Sequence, residues 1–134
     1  MHKGFLKTAA ILGALAIILG AFAVHVLKRY IPEDGIVIFE TGVRYQFYHV
    51  FAVALAGILF KEYQNRYIKT AGYFFLFGVI FFCGSLYALA FKENLNRNII
   101  NFLGPITPVG GFLFIAGWIS LIIGIIKRST NKNE

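Results

Sequence analysis

Three stretches of this chain, Thr8–Leu27, Thr70–Phe91 and Ile106–Ile126, run for 20, 22 and 21 residues without an Asp, Glu, Lys or Arg. At about 1.5 Å rise per residue, each covers the roughly 30 Å hydrocarbon core of a bilayer as an α-helix. A fourth stretch, Gly42–Phe60, carries Arg44, Gln46 and His49 in its first half and no polar side chain from Val50 onward. It reads as a span with a polar entrance. None of the three uncharged stretches alternates polar and apolar residues as a membrane β-strand must. The pattern therefore predicts an all-α, polytopic membrane protein: an antiparallel bundle of four transmembrane helices. It forms one domain over residues 1–134, with spans at about 8–27, 42–60, 70–91 and 106–126.

Composition agrees. The chain is 58% apolar and 14% charged, against about 45–50% and about 25% in soluble domains, and the loops are too short to hold a water-soluble unit. A net charge of +7 in a soluble protein invites a nucleic-acid reading. Here the basic residues sit in short clusters between apolar runs, which fits anchorage to anionic headgroups and makes membrane lipids, not nucleic acid, the expected partner. The lone Cys83 excludes an intramolecular disulfide and any CxxC pair, and reads as a small apolar filler. Lys3 and Lys7 before an apolar run that ends in Ala21-Phe22-Ala23 resemble a secretory signal, but the run is longer than a signal core and reads as a retained span.

Orientation follows from the basic residues. Lys3, Lys7, Lys61, Arg66, Lys69, Lys127, Arg128 and Lys132 fall on one side of a four-span path, and Lys28, Arg29, Arg44, Lys92 and Arg97 on the other. The excess predicts cytoplasmic termini. Gly13 and Gly20 in the first span, and Gly110, Gly117 and Gly124 in the fourth, recur at seven-residue spacing. Each set keeps to one stripe, which predicts close helix packing.

On the same path, polar residues within the spans share the non-cytoplasmic half. These are His25, Glu40, Thr41, Arg44, Tyr45, Tyr48, His49, Ser85, Tyr87 and Thr107, while the cytoplasmic halves are nearly pure hydrocarbon. Glu40 and Arg44 are expected to pair at i, i+4. Thr107-Pro108 reads as an N-cap with proline at the first helical position, turning a helix dipole toward the cluster. Ser85 is expected to bond the Phe81 carbonyl four residues back. Each residue also has a structural reading: Arg44 snorkels to the headgroups, and His25 and His49 are hydrogen-bonded packing residues. A bis-histidine haem through His25 and His49 has no other support. No phosphate-binding, dinucleotide, zinc-protease or calcium-loop motif occurs, and only Glu40 among six acidic residues is sheltered from water. No catalytic residue, metal site or cofactor is assigned.

Four segments in order, Gly20-Ala21-Phe22-Ala23-Val24-His25, Glu40–His49, Gly84-Ser85-Leu86-Tyr87 and Gly104–Gly111, resemble the domain of unknown function 423. This family of small four-helix membrane proteins includes the vertebrate transmembrane protein 256. Val24 and Gly42 depart from its usual pattern without removing a polar group. The resemblance implies four spans and a bacterial inner-membrane or mitochondrial setting, here the bacterial cytoplasmic membrane, and brings no agreed activity. Three functions compete. The foremost is a non-enzymatic protein whose polar cluster binds a lipid headgroup, small solute or proton. The others are an accessory subunit of a larger membrane complex or homo-oligomer, and a lipid- or quinone-modifying enzyme.

Overall fold

The computed structural model describes residues 1–131, with side chains through Lys127, so Lys132 and the Arg128 side chain of the charge argument lie outside it. The path begins with α1 (Lys3–His25), a 3-10 turn (Leu27–Arg29) and α2 (Glu33–Tyr63). A third rod follows, built from α3 (Arg66–Gly78), a π turn (Val79–Cys83) and α4 (Gly84–Leu89). A second 3-10 turn (Lys92–Asn94) leads to α5 (Arg97–Asn131). No strand occurs among the described residues. Four rods are long and apolar enough to cross a membrane, at Lys3–Arg29, Glu33–Tyr63, Arg66–Leu89 and Arg97–Lys127.

Each rod starts before the stretch expected from the sequence, because helices continue into the charged interface until a cap stops them, although the third ends at Leu89, two residues short of the expected Phe91. Asn65 shows how. Its side-chain oxygen accepts the Ile68 amide at 3.1 Å and starts α3, while Gln64 before it takes a left-handed conformation (φ 36°) and ends α2. Two residues thus reverse the chain. The largest departure is at α5. Asn96, not Thr107, caps it, accepting the Ile99 amide at 3.0 Å, and Pro105 and Pro108 lie inside the helix. Each proline removes one backbone hydrogen bond, a loss that membrane helices tolerate where neighbouring groups reach the freed carbonyls.

Packing is sequential: α1 leans chiefly on α2, and α5 chiefly on α3. Along α1 the buried seam is Phe5, Ala9, Ala16 and Ala23, alanines every seven residues, with Gly13 and Gly20 at its edge. A Cβ on Gly13 or Gly20 would stand 3.4 or 3.5 Å from Val50 or Val43, which is near ordinary contact. The α5 glycines behave differently. A Cβ on Gly117 would fall 2.6 Å from the Phe75 ring, one on Gly124 2.7 Å from Ile68, and one on Gly110 into the backbone of Phe82. At the π turn that contains Phe82, the backbone of the third rod itself stands against Gly110 of α5.

Two apolar clusters result. One joins Phe5, Val53, Ile68, Phe75, Cys83, Phe114 and Leu121; the other joins Ala23, Leu27, Ile31, Ile36, Phe39 and Ala90 toward the α1–α2 turn. Tyr87 packs against both.

Candidate functional site

The polar residues of the spans do not converge on one pocket, because the second apolar cluster occupies the bundle interior at that end. They separate into distinct places. Between the clusters lies a bridge that the sequence did not single out as a site. Gln46, 3% exposed, donates from Nε2 to the Leu12 carbonyl of α1 at 2.8 Å and accepts at Oε1 from the Tyr87 hydroxyl of α4 at 2.7 Å. The Leu12 carbonyl can only accept, which fixes the orientation of the amide. Three rods are tied through one side chain.

Ser85 and Thr107 form a second bridge, between α4 and α5. Ser85 Oγ donates to the Phe82 carbonyl at 2.9 Å, three residues back and not to Phe81, because the π turn shifts the register. Its proton is then committed, so the Thr107 hydroxyl donates to Ser85 Oγ across 2.6 Å. Thr107 is a cross-helix link rather than a cap.

His49 is third. It is 6% exposed and stacks on Phe114 of α5 with centroids 3.4 Å apart and planes 8° from parallel. Phe75 and Trp118 stand at 5.8 and 6.4 Å. His49 therefore faces α3 and α5, whereas His25 is exposed at the end of α1; the two do not share a haem-type site. Among the described residues no group of three His, Cys, Asp or Glu converges as metal ligands do.

The expected Glu40–Arg44 pair does not form. The exposed Arg44 guanidinium turns instead to Thr41 Oγ1 at 3.4 Å, and Thr41 donates to the Val37 carbonyl at 2.8 Å. Tyr45 packs its ring on Phe82 at 4.8 Å, and Tyr48 is 56% exposed. Polar anchoring is not confined to one half either. At the opposite end Ser120 donates to the Tyr67 carbonyl, Asn65 to the Gly124 carbonyl and Lys127 to the Tyr67 hydroxyl, each at 2.8 Å. Serine and asparagine are common in polar loops and helix ends, so no sequence signal marked these.

Glu40 remains as a candidate binding residue in a different setting. With Lys28 and Glu33 it lines a cleft of about 500 Å³ between the end of α1 and the start of α2, walled by Val24, Ile31, Ile36 and Val37. Glu33, Ile36, Val37 and Glu40 follow the i, i+3, i+4, i+7 spacing of one helix stripe. Neighbouring Asp34 is bonded to Lys92 at 2.6 Å, and that carboxylate raises the Lys92 ammonium above the usual lysine value. Lys28, Glu33 and Glu40 have no such partner among the described residues.

The family model described as a protein of unknown function (DUF423) matches residues 19–111, the region that holds the cleft, the Gln46 bridge, His49 and Ser85–Thr107. The chain belongs to this family. It is similar to a UPF0382 membrane protein of Haemophilus influenzae, 39% identical over 130 residues that cover 97% of this chain and 99% of the relative. The UPF0382 membrane protein YwdK of Bacillus subtilis is 35% identical, covering 93% and 98%. The UPF0382 inner membrane protein YgdD of Escherichia coli is 31% identical, covering 89% and 86%. No solved structure matches. With four membrane-length apolar helices, the chain is an integral membrane protein of the bacterial inner-membrane type.

Proposed function

We propose that the protein holds the headgroup of a membrane lipid in the cleft between α1 and α2. The observation that carries this reading is that Lys28, Glu33 and Glu40 line one cleft with apolar walls and form no salt bridge among the described residues. Ionisable groups inside a bilayer are costly and mark binding sites by default, and Glu40 lies within the second span. Glu40 lies seven residues, or about 10 Å, along the helix from Glu33. The carboxylates are thus spread from the interface inward, with Lys28 on the facing segment. A headgroup with a phosphate and a primary ammonium, as in phosphatidylethanolamine, matches both signs, and its acyl chains lie against Val24, Ile36 and Val37.

The test uses the protein in nanodiscs of phosphatidylcholine with a small fraction of photoactivatable phosphatidylethanolamine, adducts being mapped by mass spectrometry. Adducts are expected to concentrate on residues 24–40 and to fall several-fold when Glu33→Gln and Glu40→Gln are combined. An even spread over the lipid-facing helices, or an unchanged map in the variant, overturns the reading.

A further inference from the structure

At the end of the bundle away from the headgroup cleft, two cations share one neutral oxygen. The Tyr67 hydroxyl accepts from Arg66 Nη2 at 3.0 Å and from Lys127 Nζ at 2.8 Å, and both cations also stand over the ring, 5.0 and 4.5 Å from its centroid. Neither meets a carboxylate among the described residues. Like charges held side by side repel, and a phenol supplies no opposing charge. With its lone pairs taken, the hydroxyl has only its proton to give, and no described residue accepts it. The guanidinium and the ammonium have further N–H groups to spare. The cluster is therefore a set of donors without an acceptor, which is the chemistry of an anion site.

A groove of about 400 Å³ opens from this cluster between α3 and α5, lined by Arg66, Tyr67 and Phe74 of one helix and Ala116, Ile119 and Ile123 of the other. Arg66 and Tyr67 begin the third span, and Phe74 lies eight residues, or about 12 Å, further along it. Lys127 is not in the wall and reaches the head end from α5 through its bond to Tyr67. We infer that this groove binds an anionic phospholipid, phosphatidylglycerol being the simplest, whose phosphodiester takes the free donors of Arg66, Lys127 and Tyr67 while an acyl chain runs inward past Ile123 and Ile119 toward Phe74. A zwitterionic lipid brings an ammonium, and no Asp or Glu lines the groove to receive it. The cleft between α1 and α2 offers both signs and shares no residue with this groove.

The full protein is placed in nanodiscs of phosphatidylcholine with a small, equal fraction of photoactivatable phosphatidylglycerol or phosphatidylethanolamine, and adducts on residues 66–74 and 116–127 are mapped by mass spectrometry. Phosphatidylglycerol is expected to give at least about fivefold more adducts there than phosphatidylethanolamine, with unlabelled phosphatidylglycerol competing and inorganic phosphate not. Arg66→Gln and Lys127→Gln should each lower the yield several-fold, whereas Lys69→Gln, which removes an exposed charge from the same first turn of α3, should leave it unchanged. Equal labelling by the two lipids overturns the anionic ligand, and competition by inorganic phosphate overturns the lipid. A loss in Lys69→Gln equal to that in Lys127→Gln overturns the site in favour of general surface attraction. The lipid and phosphate comparisons are made on the unaltered protein and stand even where a variant fails to fold. Adducts on residues 24–40 report separately on the other cleft, so either reading can fail alone.

Discussion

Phe75 of α3 rests where a side chain on Gly117 of α5 would stand, 2.6 Å from the position of its missing Cβ. Three residues along each helix the relation reverses: the Phe114 ring of α5 fills the space over Gly78 of α3. Two Phe-x-x-Gly segments running in opposite directions interlock, each ring in the other's glycine gap. This reciprocal seating holds the third and fourth spans together where hydrocarbon solvent gives no hydrophobic drive.

Methyl groups added to the bundle's glycines should therefore sort by location. Gly117→Ala is expected to destabilise by about 1–3 kcal/mol through overpacking, and Gly110→Ala by at least as much, since its Cβ meets the Phe82 backbone rather than a movable ring. Gly13→Ala and Gly20→Ala, whose added methyl would meet only ordinary contacts, should not destabilise and should share the helix-propensity gain. Gly84, with no atom near its missing Cβ, should gain up to about 1 kcal/mol as alanine from helix propensity. Reversible unfolding in mixed detergent micelles checks all five.

Gln46 and Tyr87 should be energetically coupled. Gln46→Leu and Tyr87→Phe each break the 2.7 Å bond between them, at an expected cost of about 0.6–1.7 kcal/mol as for other interhelical bonds in membranes. The double variant is expected to lose less than the sum of the single losses. Strict additivity in the same unfolding assay contradicts the bridge.

Asn96→Ala tests where the last helix starts. Loss of the 3.0 Å cap to the Ile99 amide should cost about 1 kcal/mol and speed amide exchange over residues 97–101. A helix that began at Pro108 would leave both quantities unchanged.

The orientation rests on charge asymmetry and is open to chemical mapping. Cys83 is buried, so added cysteines report alone. Gln64→Cys, in the turn between α2 and α3, is expected to resist a membrane-impermeant maleimide applied to intact cells, and Asn94→Cys, in the turn before α5, to react. The reverse pattern places the termini outside.

Four spans are determined by the sequence itself. In hydrocarbon every backbone amide must be satisfied within its own segment, so three uncharged runs of 20 to 22 residues, and a fourth stretch from Gly42 to Phe60 interrupted only by Arg44, permit little besides helices. The glycine stripe of α5 was legible for the same reason of period, whereas the α1 seam falls on Ala9, Ala16 and Ala23, which a search for glycine passes over. Partnership was not legible. Glu40 and Arg44 have the spacing of a pair, yet Arg44 turns to Thr41 and Glu40 to a cleft. Gln46 drew little notice alone and became the tie among three rods only when Leu12 and Tyr87 were brought to it. Periodicity is a property of one segment and can be counted along it. Which buried donor meets which acceptor depends on helix rotation and on a π turn that shifts register at Ser85, and those are decided only when distant segments pack.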